Sequence, residues 1–323
     1  MTVSIIVTIY NTIQYLERCV HSIMSQTFDD YEVLFVDDAS TDSSKKLLRT
    51  ILSEYPSMSS RWTIIENKYN MGVGYCRHVA MKKAKGEYLI HVDSDDYVEI
   101  TFLEKMVKKA ESTQSDIVIC NTADVINEKI YVNNIENVTD KDELIKRLLI
   151  GTCHNSLWNK LIRRRIFEEN NIYPDDFFRV MEDKSVMFRC VFLANKVTYV
   201  NDVLYYYRKA EYSLTSGSQK NLLPMLEKLN CIIDEFFKEK EVSDTIKDGI
   251  ELFKVGMAAS ILLYGEKNES NNQFIRKTSI KSFLSNKYIP FYYQIALICK
   301  KYYLSFVVWI IRVALKMKNN DRR

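Results

Sequence analysis

The sequence predicts an α/β fold, a mostly parallel sheet with helices on both faces, followed by a helical C-terminal region. Three observations carry this. Apolar, β-branched runs alternate with stretches of helical periodicity as far as Cys120. Several of those runs are unbroken, as in strands buried on both faces of a parallel sheet. Polar, carboxylate-rich clusters also follow three of the runs, where such sheets collect their chemistry.

Taken in order, residues 4–9 form an uninterrupted apolar strand. Asn11 and Thr12 then offer N-caps to a helix whose Ile13, Leu16, Val20, Ile23 and Met24 recur at helical spacing. Strand 32–36, helix 43–54, strand 62–66, helix 75–85, strand 88–92, helix 101–112 and strand 116–120 complete the alternation. Residues 130–208 are mixed, with a helix near 164–170, a loop from Tyr173-Pro174 to Met181, an apolar helix after Glu182-Asp183, and one or two strands over 198–207. From Asn221 onward the periodicity is helical. The expected divisions are 1–215, split into halves 1–125 and 126–215, then a helical extension 216–269 and a tail 270–323.

Composition excludes several classes. At 323 residues and 38.0 kDa, with 47% hydrophobic and 27% charged residues, the chain is too apolar for disorder. Eight Gly and four Pro rule out collagen-like and Pro-rich architectures. Seven scattered Cys without a C-x-x-C argue against a disulfide framework and against zinc, and the N-terminus shows no signal-peptide pattern, so the expected compartment is cytoplasmic. His21 and His91 sit in apolar contexts and read as satisfied core residues. Charge is unevenly placed. After Glu269 come eleven basic residues against Asp321 alone, a net of +10, so the first 269 residues carry −7 of the chain's +3. Such a tail suits an anionic membrane surface rather than nucleic acid. Its polar residues Gln294, Lys301, Ser305, Arg312 and Lys316 fall on one narrow helical stripe opposite a broad apolar face. The charge-free runs 288–299 and 302–311 are too short for the ~20 residues of a spanning helix.

The sharpest signal is Asp93-Ser94-Asp95-Asp96. Three carboxylates within four residues repel one another beside a buried strand, and Mg²⁺ or Mn²⁺ removes that cost while also taking phosphate oxygens. At the end of the second strand, Asp38 can accept a hydrogen bond from a base or ribose, with Asp37 beside it. Gly72-Val73-Gly74 followed by Arg77 places backbone N–H groups and a cation near a helix N-terminus, suited to a diphosphate or equally to a loop that needs two flexible residues. Glu182-Asp183 at a helix start serves either as a general base or as charge favourable to the helix dipole.

In order along the chain, Ser4-Ile5-Ile6-Val7-Thr8-Ile9-Tyr10-Asn11, Gln26-Thr27-Phe28, Val36-Asp37-Asp38-Ala39-Ser40, Lys85-Gly86-Glu87-Tyr88, Asp93-Ser94-Asp95-Asp96, Trp158-Asn159-Lys160-Leu161 and Glu182-Asp183 resemble the family-2 inverting glycosyltransferases with the GT-A fold, of the kind that builds bacterial cell-surface polysaccharide. The resemblance implies transfer from a UDP-sugar donor to a saccharide or lipid-linked saccharide acceptor, with inversion, on a Rossmann-like sheet. By it, Thr8, Tyr10, Asp37 and Asp38 lie on the uridine side. Gly72 and Arg77 meet the nucleotide or diphosphate. Asp93, Ser94 and Asp95 form the D-x-D motif, with Asp95 and Asp96 on the metal. Asp183 is the base, with Glu182 beside it, and Trp158 and Lys160 line the acceptor side. Cys76-Arg77-His78 departs from the usual Ala-Arg-Asn. A nucleotidyltransferase would carry Lys or Arg in the loop after the first strand, where this chain has Tyr10-Asn11-Thr12-Ile13. A non-catalytic binding module would have no use for Asp183 alongside Asp95 and Asp96.

Overall fold

Residues 1–178, 180–209, 222–264 and Ile295 are described in a computed structural model, where the β-branched runs become the heart of one nine-stranded sheet. Strand β1 (Val3–Ile9) lies between β2 (Tyr31–Asp37) and β4 (Tyr88–Asp93). Strand β3 (Trp62–Glu66) lies outside β2, and all three pairings are parallel. Alternation along these strands sorts the side chains between two faces. Val3, Ile5, Val7, Ile9, Val33, Phe35, Ile90 and Val92 form one core with the apolar stripes of α1 (Leu16–Met24), α2 (Ser44–Leu52) and α4 (Phe102–Thr113). Helix α3 (Val73–Lys83), which buries Cys76, Ala80 and Met81, packs against β1 and β2.

Beyond β4 the sheet becomes mixed, so the expectation of a mostly parallel sheet holds only for its first half. Strand β8 (Lys160–Arg163) runs antiparallel to both β4 and β6 (Ile117–Ile126). Next, β9 (Val197–Arg208) runs parallel to β6, and β5 (Tyr97–Val98) antiparallel to β9. Strand β7 (Lys129–Asn133) folds back on β6 as a hairpin, through Asn127 and Glu128 at φ 49° and 59°. Helices α6 (Arg165–Glu169) and α7 (Glu182–Leu193) complete this unit, which comprises residues 1–141 and 155–216. A second unit holds residues 142–154 and, among the described residues, 222–264. There α5 (Lys141–Ile150), α8 (Leu222–Phe237) and α9 (Asp244–Tyr264) bury Leu144, Leu148, Leu229, Ile233, Leu252 and Val255. The tail 270–323 lies outside the described residues apart from Ile295.

Several boundaries differ from the sequence reading, each for a local reason. Asn11 and Thr12 do not cap α1. The chain makes a turn first, with the Tyr15 N–H on the Thr12 carbonyl at 2.9 Å, and Asn11 spends its side chain on the next loop. Strand β6 runs six residues past Cys120, because polar Asn121 sits at a register shift against β9 and is satisfied there. Its amide donates to the Asn201 carbonyl and accepts the Ile135 N–H, both at 2.8 Å. Strands β5 and β7 are too short or too polar-edged to show in the pattern.

A buried polar knot ties the central strands. Ser4 donates to Glu32 at 2.7 Å and accepts the Gly86 N–H at 2.8 Å, while Glu32 also takes the Lys85 N–H. Gly86 lies so close to β1 that a Cβ there would meet the Val3 carbonyl carbon at 2.6 Å, which is backbone and has no room to yield. Gly86→Ala is therefore expected to destabilise the fold by about 1–3 kcal/mol through overpacking. For a unit of this size that lowers the thermal midpoint by roughly 2–12 °C, read from melts of the two proteins.

Candidate active site

Strand register builds the site. In the parallel pairing Ile9 faces Asp37 and Thr8 faces Asp93, so the carboxyl ends of β1, β2 and β4 bring the first two carboxylate clusters to one edge. The loops leaving these strands are bonded to each other. Asn11, at φ 53°, accepts the Thr41 N–H at 2.8 Å. Thr12 donates its hydroxyl to Ser94 at 3.0 Å and its N–H to Ser44 at 3.0 Å. Tyr10 stands exposed at this edge and Thr8 is half-buried beside it.

Asp38 is 4% exposed and already accepts three hydrogen bonds, from Asn67 Nδ2, the Met71 N–H and the Gly72 N–H, each at 2.8 Å. A ligand group here would share one of those oxygens. Asp37 is different, since its Oδ1 is buried with no partner among the described residues, while Oδ2 accepts the Ser40 N–H at 3.3 Å. Gly72, at φ 91°, thus gives its N–H to Asp38 rather than to an open phosphate cradle. Gly74 is needed for space, because a Cβ would stand 2.7 Å from the Asp175 carbonyl oxygen on the loop that leads to α7.

Arg77 corrects the sequence reading most clearly. Its side chain, 3% exposed, does not face a diphosphate. One nitrogen donates to Glu182 at 2.6 Å and to Asp183, and the other donates to Asp93 at 2.9 Å. The fork is spent on three carboxylates from two distant segments, and Nε has no partner among the described residues. On β4, His91 is buried, but neither ring nitrogen finds a hydrogen-bond partner among the described residues, so it is not the satisfied core histidine the sequence suggests. Burial and the neighbouring guanidinium hold it neutral.

One cation cannot neutralise three carboxylates. Burial first, then the neighbouring Asp183, pushes the Glu182 carboxyl up to about 8, with Arg77 opposing. Burial also raises Asp183, against the pull of Arg77. Burial thus favours the protonated form of both carboxyls, Arg77 opposes it, and the two titrate together as a pair.

The Asp93–Asp96 turn divides its labour. Asp96 is 1% exposed, and its two oxygens accept the Tyr205 hydroxyl and the Arg208 N–H, both at 2.7 Å. That engagement argues against the expected metal role, because the carboxylate points into the protein. Asp95 is half-buried, and besides its own backbone N–H its carboxylate meets no hydrogen-bond donor among the described residues. Burial and then Asp93 raise it to about 6. A carboxylate lacking a partner and crowded by a second one fits a hard divalent cation that also takes phosphate oxygens. Among the described residues no three His, Cys, Asp or Glu side chains form a ready-made metal cage.

On the other side of the cleft, Trp158 stacks on Tyr205 at 4.4 Å and on Tyr207 at 5.5 Å. The preceding Leu157 N–H supports the charged form of Asp183. Lys160 favours the charged form of Asp183. It is buried, and its ammonium donates to the Ser156 carbonyl at 2.6 Å and to Asn159 Oδ1 at 2.7 Å. Tyr205 and Arg208 escaped the sequence reading. The only signal was the aromatic alternation of Tyr205 and Tyr207 ending in an Arg.

The comparisons with known proteins agree with this architecture. The profile described as "Glycosyl transferase family 2" matches residues 4–170. EpsH of Bacillus subtilis (strain 168) is 31% identical over 278 residues, covering 84% of this chain and 79% of its own. The poly(ribitol-phosphate) beta-N-acetylglucosaminyltransferase TarS of Staphylococcus aureus is 26% identical over 209 residues, 64% of this chain and 35% of TarS. A TarS fragment crystallised with UDP-GlcNAc superposes with a TM-score of 0.74 over 98% of this chain and 92% of that one, at 20% identity. The mannosyltransferase PcManGT of Pyrobaculum calidifontis, bound to GDP-Man and Mn²⁺, shares the fold at a TM-score of 0.55 and 14% identity, over 98% and 86% of the two chains.

Glu182 gives a pH prediction. An acid whose folded pKa exceeds its unfolded value, here ordinarily near 4.5, stabilises the fold at low pH and loses that contribution as pH rises through the folded value. Stability should therefore fall between about pH 5 and 8. Glu182→Gln, which keeps an acceptor for Arg77 but cannot ionise, should show a shallower fall and melt at or above the unaltered protein at pH 8. Thermal melts from pH 5.5 to 8.5 check this, and an unchanged slope would remove Glu182 as the protonated partner.

Proposed function

The chain belongs to glycosyl transferase family 2 and is a hexosyl-transferring enzyme, and from that premise we propose that it moves a sugar, with inversion, from a UDP-sugar to a saccharide or lipid-linked saccharide acceptor. The observation that carries this reading is the convergence of Asp93, at the end of β4 and two residues before Asp95 in the same turn, with Glu182 and Asp183 at the start of α7 around Arg77. Support for UDP comes from the UDP-GlcNAc complex of TarS, a protein of the same fold.

Thr8, Tyr10 and Asp37 form the uridine side, with Asp38 holding the loop that walls it. Asp95 would hold Mn²⁺ or Mg²⁺, which supplies neutralisation of the charge that develops on the leaving diphosphate. Asp183 takes the proton of the acceptor hydroxyl as that oxygen attacks the anomeric carbon. Arg77 favours the ionised form of Asp183 and fixes its direction, with Glu182 beside it on the same guanidinium. A single displacement needs no covalent nucleophile. Cys19, Cys76, Cys120 and Cys190 are buried, with thiols pushed far from ionisation by burial, and offer none.

The same reading gives residues 1–215 the catalytic role, 216–269 a helical extension, and 270–323 a basic amphipathic segment lying on the inner face of the cell membrane. No helix among the described residues is long and apolar enough to cross a membrane. Each basic residue near an anionic leaflet contributes on the order of 1 kcal/mol, so the eleven in the tail could supply several.

Incubation with a panel of UDP-sugars and acceptors should yield transferred sugar of inverted anomeric configuration. The activity should be lost in EDTA and restored by Mn²⁺ or Mg²⁺. Asp183→Asn should lower turnover by roughly 10²–10⁴-fold while UDP-sugar affinity stays nearly intact. Near-normal turnover of that variant would place the base elsewhere. For the tail, liposome flotation should retain the full chain on acidic vesicles and release a chain truncated after Glu269. Equal flotation of the two would refute the membrane role.

A further inference from the structure

Tyr205 is fully buried on β9, yet its hydroxyl stands within the Asp93–Asp96 turn. It donates to Asp96 Oδ2 at 2.7 Å and accepts the Asp93 backbone N–H at 3.1 Å, so one oxygen joins both ends of the turn. Three residues on, the Arg208 N–H closes the other Asp96 oxygen, and Arg208 Nε reaches the Asp95 carbonyl at 3.3 Å. Immediately after the turn, Tyr97 and Val98 pair antiparallel with Tyr206 and Tyr205. The Tyr205 ring meanwhile carries Trp158 at 4.4 Å and 22°, with Phe102 edge-on at 6.3 Å.

We infer that Tyr205 is a positioning residue for sugar transfer, its hydroxyl fixing the Asp93–Asp96 turn and its ring fixing the aromatic surface beside Asp183. The inference rests on the glycosyltransferase reading above. Only a hydroxyl on a rigid ring can do both, since it must donate to a carboxylate, accept a backbone N–H and stack on indole. Asp96 is then the inward anchor that leaves Asp95 facing the ligand. Without the hydroxyl, a buried carboxylate oxygen and a buried N–H both lose a partner, and the turn relaxes toward other donors. A displacement of about 1 Å at a reacting centre costs on the order of 10²-fold in rate.

The test compares Tyr205→Phe, Asp96→Asn and their combination with the unaltered protein. Hydrogen exchange of the ligand-free proteins is followed over peptides covering residues 93–98, and kcat and KM are measured with a UDP-sugar. Tyr205→Phe should speed exchange in those peptides and lower kcat/KM by roughly 10–100-fold. The double variant should lose less than the product of the two single losses, because both changes act on the Tyr205–Asp96 bond. Phe102→Leu, which disturbs the same ring without touching the hydroxyl, should lower the melting temperature and leave kcat/KM near that of the unaltered protein. Should Tyr205→Phe not fold, Asp96→Asn carries the test alone with the same two readouts. Unaltered exchange, additive losses or an equal loss in Phe102→Leu would overturn the positioning role. If the unaltered protein transfers no sugar from any UDP-sugar, the activity reading fails, and the exchange measurement by itself decides whether Tyr205 holds the turn.

Discussion

Arg77 carries one positive charge into a space shared with Asp93, Glu182 and Asp183, and most of the site's geometry follows from satisfying that arrangement. A buried ion pair is a poor source of net stability, but removing one partner strands the others at a cost of about 3–5 kcal/mol. The guanidinium thus acts as a fixed point. It pulls the start of α7 onto the end of β4, although the residues joined are 105 and 16 positions from Arg77 in sequence. Burial raises the Glu182 carboxyl despite the guanidinium, and burial and then Asp93 raise Asp95 against the pull of Arg208.

Those two consequences separate the chemistry. Arg77 and the Leu157 N–H fix Asp183 in direction and favour its charged form against burial. Asp95 is half-buried, burial and then Asp93 raise its carboxyl to about 6, and that crowding suits a hard divalent ion. Asp96, its neighbour in sequence, is turned inward onto Tyr205 and Arg208. Three adjacent acids therefore have three environments: Asp93 on a guanidinium, Asp95 open, Asp96 sealed.

The sheet supplies the frame in two halves. The parallel half lines up strand ends by register, so that Asp37, Thr8 and Asp93 share an edge without any side chain having to find another. The mixed half, with β8 antiparallel to β4 and β9 entering beside β6, brings Trp158 and Tyr205 to the far side of the same turn. Gly74 lets the loop before α7 settle against α3 at a distance no side chain would permit.

Much of this was legible in the sequence. The unbroken run of β1, the strand-to-acid transitions at Asp37 and Asp93, and the Glu182-Asp183 pair at a helix start each follow from local pattern, because burial on both faces and helix initiation are properties of contiguous residues. Pairing direction beyond β4, the hairpin of β7 and the extension of β6 through Asn121 were not legible, since each depends on a partner strand distant in the chain. The roles within the site divide the same way. Which residues are acidic is written in the sequence. Which of them is neutralised, protonated or turned inward depends on what stands opposite, and only the tertiary structure brings Arg77 to three carboxylates and Tyr205 to Asp96, because a charge is set by its neighbours in space rather than by its neighbours along the chain.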